Sequence, residues 1–275
     1  MPASSLNATV PALRAAWSSR TLFAIFLGGL VVAAWIALWY WSVSPYSRYV
    51  THAGYLEPGA FLALCRTLPG GAYVVPALLH AGSWTLMIAA MMLPTTFPLL
   101  AMFRRIIAGR PDESRLTACV IGGFFAAWLA FGLVAHLADA SIVWLADRNA
   151  AFVAHGWIVG AVVLAGAGLF QFSALKYQCL EQCRTPFAFV TSRWHGRAPS
   201  REAFRLGFDH GLFCVGCCWA LMLVMFVVGT ASIGWMLALA ALMAAEKNLP
   251  EGARLRLPVG LGLLAVAGAT VVARI

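Results

Sequence analysis

The sequence predicts an all-α fold: a polytopic helical membrane protein with about seven transmembrane helices and a cytoplasmic N-terminus. Three observations carry that prediction. The 275 residues are 62% hydrophobic and only 11% charged, whereas soluble domains are nearer half apolar and a quarter charged. Several continuous apolar runs approach or exceed the roughly 20 residues that cross a bilayer as a helix. The basic residues gather between alternate runs, as the positive-inside rule requires. A lipid-exposed open sheet is excluded because its backbone groups would go unsatisfied. A transmembrane barrel would show short alternating strands instead of these runs.

Taken in order, the expected spans are Leu22–Trp41, Gly82–Phe103, Thr117–Leu137, Trp157–Leu175, Leu212–Gly229, the short Ile233–Ala245, and Leu257–Val272. The first is too long and too aromatic for a cleaved leader and reads as a retained span. The stretch 58–79 is apolar but interrupted by Pro69, Gly70, Gly71 and Pro76, and reads as an interfacial or re-entrant segment. The tail before the first span and the loops after the second, fourth and sixth together carry fifteen of the nineteen Lys and Arg. Those loops are assigned to the cytoplasm, including the stretch 176–209. The net charge of +9 is thereby explained by topology, and no nucleic acid is expected as a partner. The whole chain, 1–275, reads as a single integral membrane domain, bound to the lipid bilayer of the inner (cytoplasmic) membrane.

The chemistry sits in four clusters. The stretch "HGLFCVGCCWALMLVM" places His210, Cys214, Cys217 and Cys218 at i, i+4, i+7 and i+8, one face of a helix. Met222 and Met225 continue that stripe. Such a face offers imidazole, thiol and thioether, which select soft ions, Cu(I) above all, with Cys and His together also suiting Zn(II). The competing reading is a packing face, since free Cys behaves as a small hydrophobe. In "LKYQCLEQCRTP", Cys179 and Cys183 share a helix face at the cytoplasmic end of the fourth span. In "WTLMIAAMMLPTTFPLL", Met87, Met91 and Met92 precede Pro94 and Pro98, which are expected to kink the second span. Glu246, followed by Lys247, ends the sixth span; an ionisable group at that depth is a functional candidate by default. Gln171 is expected to hydrogen-bond to a neighbouring span, in a segment whose Gly166 and Gly168 suit close packing. His52, His80, His136, Asp139 and His155 fall toward the outer side and are candidates for an entry or second metal site, the competing reading being that imidazole tolerates the interface.

These residues are also where a family likeness lies. The motifs "MIAAMMLPTTFP", "FQFSALKYQCLEQCRTP", "GFDHGLFCVGCCWALMLVMFVVG" and "AEK" resemble a bacterial family of uncharacterised, predicted metal-binding integral membrane proteins. The likeness runs over the second to sixth spans and implies a metal, without implying a substrate or reaction.

The resulting expectation is a protein that binds a soft transition metal at a Cys/His/Met-rich site near the cytoplasmic side. Copper is favoured, with zinc or iron as alternatives. Its expected ligands are His210, Cys214, Cys217, Cys218, Cys179, Cys183, Met91, Met92 and Glu246, and its task is handling, delivery or insertion of the metal. A metallochaperone, a metalloenzyme or a larger membrane complex would be its partner. The alternatives are a membrane thiol or metal-dependent oxidoreductase using Cys214 and Cys217, and a metal transporter or accessory subunit. No catalytic residue is assigned, and the balance lies against an enzyme.

Overall fold

The computed structural model describes residues 4–43, 71–149, 156–228 and 232–274. Among the described residues there is helix and turn and no strand. The α-helices there are α1 (Ser4–Val43), α2 (Gly71–Met91), α3 (Phe97–Ile106), α4 (Glu113–Arg148), α5 (Trp157–Phe170), α6 (Ala174–Arg184), α7 (Pro186–Thr191), α8 (Pro199–Val228), α9 (Ile233–Asn248) and α10 (Arg256–Val272). Short 3-10 turns cover Pro94–Thr96 and Gly252–Leu255.

Four segments are long and apolar enough to cross a membrane: Thr21–Val43, Glu113–Ile142, Pro199–Val227 and Gly252–Val272. Two bent pairs raise the number to as many as six: Ala81–Met91 with Pro94–Ile106, and Trp157–Phe170 with Ala174–Arg184. The remaining expected span is α9. Its 16 residues make about 24 Å of helix, short of a hydrocarbon core of about 30 Å. On α1 the side chains of Leu22, Ile25, Phe26, Ile36 and Tyr40 are exposed, and so are Leu257, Leu261, Val266 and Val272 of α10. Contiguous apolar exposure of this kind marks a surface made for lipid or a partner.

Both bends have local causes. At the end of α2, the N–H groups of Met92 and Leu93 both reach the carbonyl of Ile88, at 2.8 and 3.0 Å. Pro94 has no N–H to continue the ladder. The hydroxyls of Thr95 and Thr96 donate to the carbonyls of Met92 and Leu93, each at 2.7 Å. The 48° bend thus falls where the prolines put it, and the carbonyls of Met92 and Leu93 at the break each accept from a backbone N–H and a hydroxyl. Pro98 lies in the first turn of α3, where its missing N–H costs nothing. The second bend, 63°, involves no proline. Ser173 leaves helical geometry and caps α6, its hydroxyl accepting from Lys176 N at 3.1 Å.

In lipid, apolar contact gives helices little reason to prefer each other over acyl chains, so close backbone approach takes over. The most extensive helix pairing here is α4 with α8. A Cβ on Gly207 of α8 would run into the Val120 carbonyl of α4, and one on Gly123 of α4 into the Phe204 carbonyl of α8. Each helix therefore supplies a groove for the other's backbone. The stretch 176–209, expected as a loop, is largely folded: it holds most of α6, then α7 and the start of α8. The Glu202 carboxylate accepts from the backbone N–H groups of His195, Gly196, Arg197 and Ala198. The turn before α8 is thus tied to the first turns of that helix. In the turn between α3 and α4, a hydrogen bond from Arg110 holds the Asp112 carboxyl below its usual range. Of the stretch 58–79, residues 71–79 are helical and open α2, and 58–70 lie outside the described residues.

Candidate metal centre

The end of α9 is driven between the two bent pairs. Its Glu246 and Lys247 are both buried and point to different neighbours. Glu246 accepts from Lys176 Nζ of α6 at 2.8 and 3.0 Å. Neither side chain of that ion pair is more than 1% exposed. Arg184 of α6 closes the same corner, donating to the main-chain carbonyls of Glu246 and Pro250. One orphan carbonyl in the last turn of α9, that of Glu246, thus finds a donor.

Lys247 turns the other way, into the sulfurs. Its Nζ lies 2.9 Å from Cys214 Sγ of α8, 3.2 Å from Thr95 Oγ1 of the 3-10 turn and 3.9 Å from Met92 Sδ. An ammonium carries three donors, and each has an acceptor here. One helical turn further along α8, Cys217 Sγ is 3.3 Å from Cys218 Sγ and 3.2 Å from the Cys214 carbonyl, to which its thiol donates. Cys183 of α6 is a hydrogen-bonding neighbour of Cys217. Cys179 of α6 packs where Gly216 leaves room: a Cβ on Gly216 would stand 2.6 Å from Cys179 Sγ.

These groups belong to one sulfur-rich core. Buried together are Cys179, Cys214, Cys217, Cys218, Met87, Met91, Met92, Met222, Met225, Met236 and Met243, with Cys183 packed against them. All the cysteines within the described residues are free thiols. Chemically this is a soft-donor environment, fitted to Cu(I) in preference to hard ions. It is not an assembled cage: among the described residues no three His, Cys, Asp or Glu side chains stand grouped to hold an ion. The Lys247 ammonium stands against two of these sulfurs, Cys214 Sγ and Met92 Sδ.

Of the expected ligands, Cys214, Cys217, Cys218, Cys179, Cys183, Met91 and Met92 are thus gathered in one core, from α8, α6 and the end of α2. Two others go elsewhere. Glu246 is committed to Lys176, because a buried carboxylate needs a charged partner. His210 packs its ring against Phe124 and Phe189, with centroids 6.0 and 5.4 Å apart. The small cavity beside it is lined by Leu93, Thr96 and Gly207 among others and by no sulfur. Its Nδ1 has no hydrogen-bond partner among the described residues. Gln171, expected to bond to a neighbouring span, is buried with neither amide atom partnered among the described residues. It faces Gly260 of α10, where no side chain offers a partner.

Sequence reasoning named Lys247 only as the companion of Glu246 and passed over Thr95, Met236 and Met243. The seven-residue spacing of Met236 and Met243, two helical turns, was the available signal for those two. Of the outer-side residues, His52 and His155 lie outside the described residues, as do the side chains of His80 and Asp139. His136 stands on α4.

A family profile described as "PpoB2: Copper chaperone" matches residues 81–270, well over half of the chain. The chain belongs to the PpoB2 copper chaperone family. No curated protein and no solved structure matches it. The PpoB2 match takes in the second half of α2 and every element from there through α9, and copper is an ion to which that donor set is well suited.

Proposed function

We propose that this chain receives Cu(I) at the sulfur core between α2, α6, α8 and α9 and passes it on to an acceptor protein. The copper is cargo. The observation that carries the proposal is the meeting of Cys214, Cys217 and Cys218 with Cys183 and Met92 in one dry core of a PpoB2 copper chaperone. The metal implied by the likeness to predicted metal-binding membrane proteins points the same way. A monovalent d10 ion is content with a few sulfurs, thioether included, so an incomplete thiolate cage suits a protein that must let its cargo go. The thiols of Cys217 and Cys218, already adjacent, are the first donors, with Cys214, Cys183 and Met92 completing the set.

The further elements of the reading are topological. The chain is multi-pass in the inner (cytoplasmic) membrane, with its N-terminus and its basic loops on the cytoplasmic side. The sulfur core then lies toward that side, where thiols stay reduced. The acceptor is a copper enzyme or a further copper carrier.

The test is an anaerobic Cu(I) competition titration of detergent-solubilised protein against a chromophoric chelator. Wild type is expected to bind Cu(I). The C217S and C218S variants are expected to lose at least roughly tenfold in affinity, since even an outer-shell partner is worth that much. Wild-type affinity in both variants sinks the proposal.

A further inference from the structure

A resident positive charge inside a sulfur cluster restricts which ions the cluster can accept. We infer that Lys247 is a specificity-determining residue: its ammonium, fixed 2.9 Å from Cys214 Sγ, makes the sulfur core favour monovalent soft cations over divalent ones. The inference rests on the reading that these sulfurs take Cu(I).

The geometry supports it in four steps. Lys247 is buried, and its acceptors are a thiol, a hydroxyl and a thioether. No carboxylate forms an ion pair with it among the described residues. The neighbouring carboxylate, Glu246, is already taken by Lys176. The charge of Lys247 is therefore faced by no carboxylate, and the sulfur of Cys214, 2.9 Å away, is its counterpart. A lysine at the end of a short helix could have extended its stem outward to water; instead the broken turn at Pro94 provides Thr95 and Met92 as seats for it.

The physical consequence follows from Coulomb's law. The repulsion between the ammonium and an entering ion is proportional to the ion's charge and is weakly screened in a dry site. A divalent ion meets twice the opposition that a monovalent one does, at the same sulfurs. Zn(II) and Cd(II) share the affinity of Cu(I) for thiolate, so sulfur chemistry alone would not keep them out. The ammonium supplies a discrimination by charge that the donor atoms lack.

The test compares Ag(I), a redox-inert analogue of Cu(I), with Cd(II) on full-length protein in detergent, read by the thiolate charge-transfer absorption of each. Wild type is expected to favour Ag(I). In K247L, which removes the charge and adds no donor atom, affinity for Cd(II) should rise at least roughly tenfold relative to Ag(I). K247R, which keeps the charge, should retain the wild-type ratio. T95D leaves Lys247 in place but sets a carboxylate beside it, and should shift the ratio in the same direction as K247L. An unchanged ratio in K247L, or in T95D where K247L fails to fold, overturns the inference. Wild type that takes Cd(II) as readily as Ag(I) overturns it without any variant. Wild type that binds neither ion removes the proposed function itself, and that outcome is distinct from an unchanged ratio.

Discussion

Glu246 and Lys247 are neighbours in sequence yet serve different faces of α9, because successive helical residues stand about 100° apart around the axis. One completes an ion pair with Lys176; the other enters the sulfurs. The buried pair makes a clear prediction. Removing one charge strands the other in a dry interior, which costs about 3–5 kcal/mol, whereas replacing both with apolar side chains is often neutral. E246Q is expected to lower the thermal unfolding temperature in detergent substantially, and K176M with E246L to recover most of the loss. An E246Q protein as stable as wild type would mean that the pair does not hold α9 to α6. At this scale the thiols of α8 were legible, because their spacing sits on one helix and one face. The Lys176–Glu246 pair was not legible. Its members are 70 residues apart, and only the approach of α6 to α9 joins them.

The elements show two kinds of break, and only one of them announces itself. The prolines of "MMLPTTFP" signal the α2 bend, and the neighbouring threonines bond back to the Met92 and Leu93 carbonyls at the break. The α5–α6 bend depends on a serine cap at Ser173, a signal too common in sequence to mark a break inside an apolar run. A third signal was present and passed over: Gly207 and Gly211 form a G-x-x-x-G, the spacing that lets membrane helices approach closely. Gly207 lies against the Val120 backbone with no room for a Cβ, so α8 is seated on α4 by the absence of a side chain. G207A should cost about 1–3 kcal/mol by overpacking, and G207V more. Both should unfold at lower temperature in detergent, with Gly262→Ala, a helical position with open space around it, as the control. Because α8 carries Cys214, Cys217 and Cys218, a displaced α8 should also lose Cu(I) affinity in step with stability. Stability unchanged in G207V would show that α4 and α8 do not pack as described.

At the level of the whole molecule, the helical class was legible because long continuous apolar runs favour helices, and four to six of them are long and apolar enough to cross a membrane. The number of spans was less legible, for a physical reason that centres on α9. A helix of about 24 Å ends short of one side of a bilayer unless the bilayer thins or flanking residues reach outward. Its charged end is meanwhile drawn inward by Lys176 and by the sulfurs, not outward to water. Whether α9 crosses decides the side on which the chain ends, since α10 follows it directly. If α9 crosses, the Lys247 end faces the cytoplasm, level with Cys214 and Met92 and near the basic loops, and the C-terminus is external. Alkaline phosphatase, active only outside the cytoplasmic membrane, distinguishes the cases. Fusions after Gly109 and Gly196 should be inactive, and fusions after Asn149 and Ile275 active. An inactive fusion at Ile275, with the other three as expected, would mean that α9 and α10 cross once between them. The sulfur core would then be plugged by a re-entrant helix, and the seven-span topology would fall while the core geometry stood.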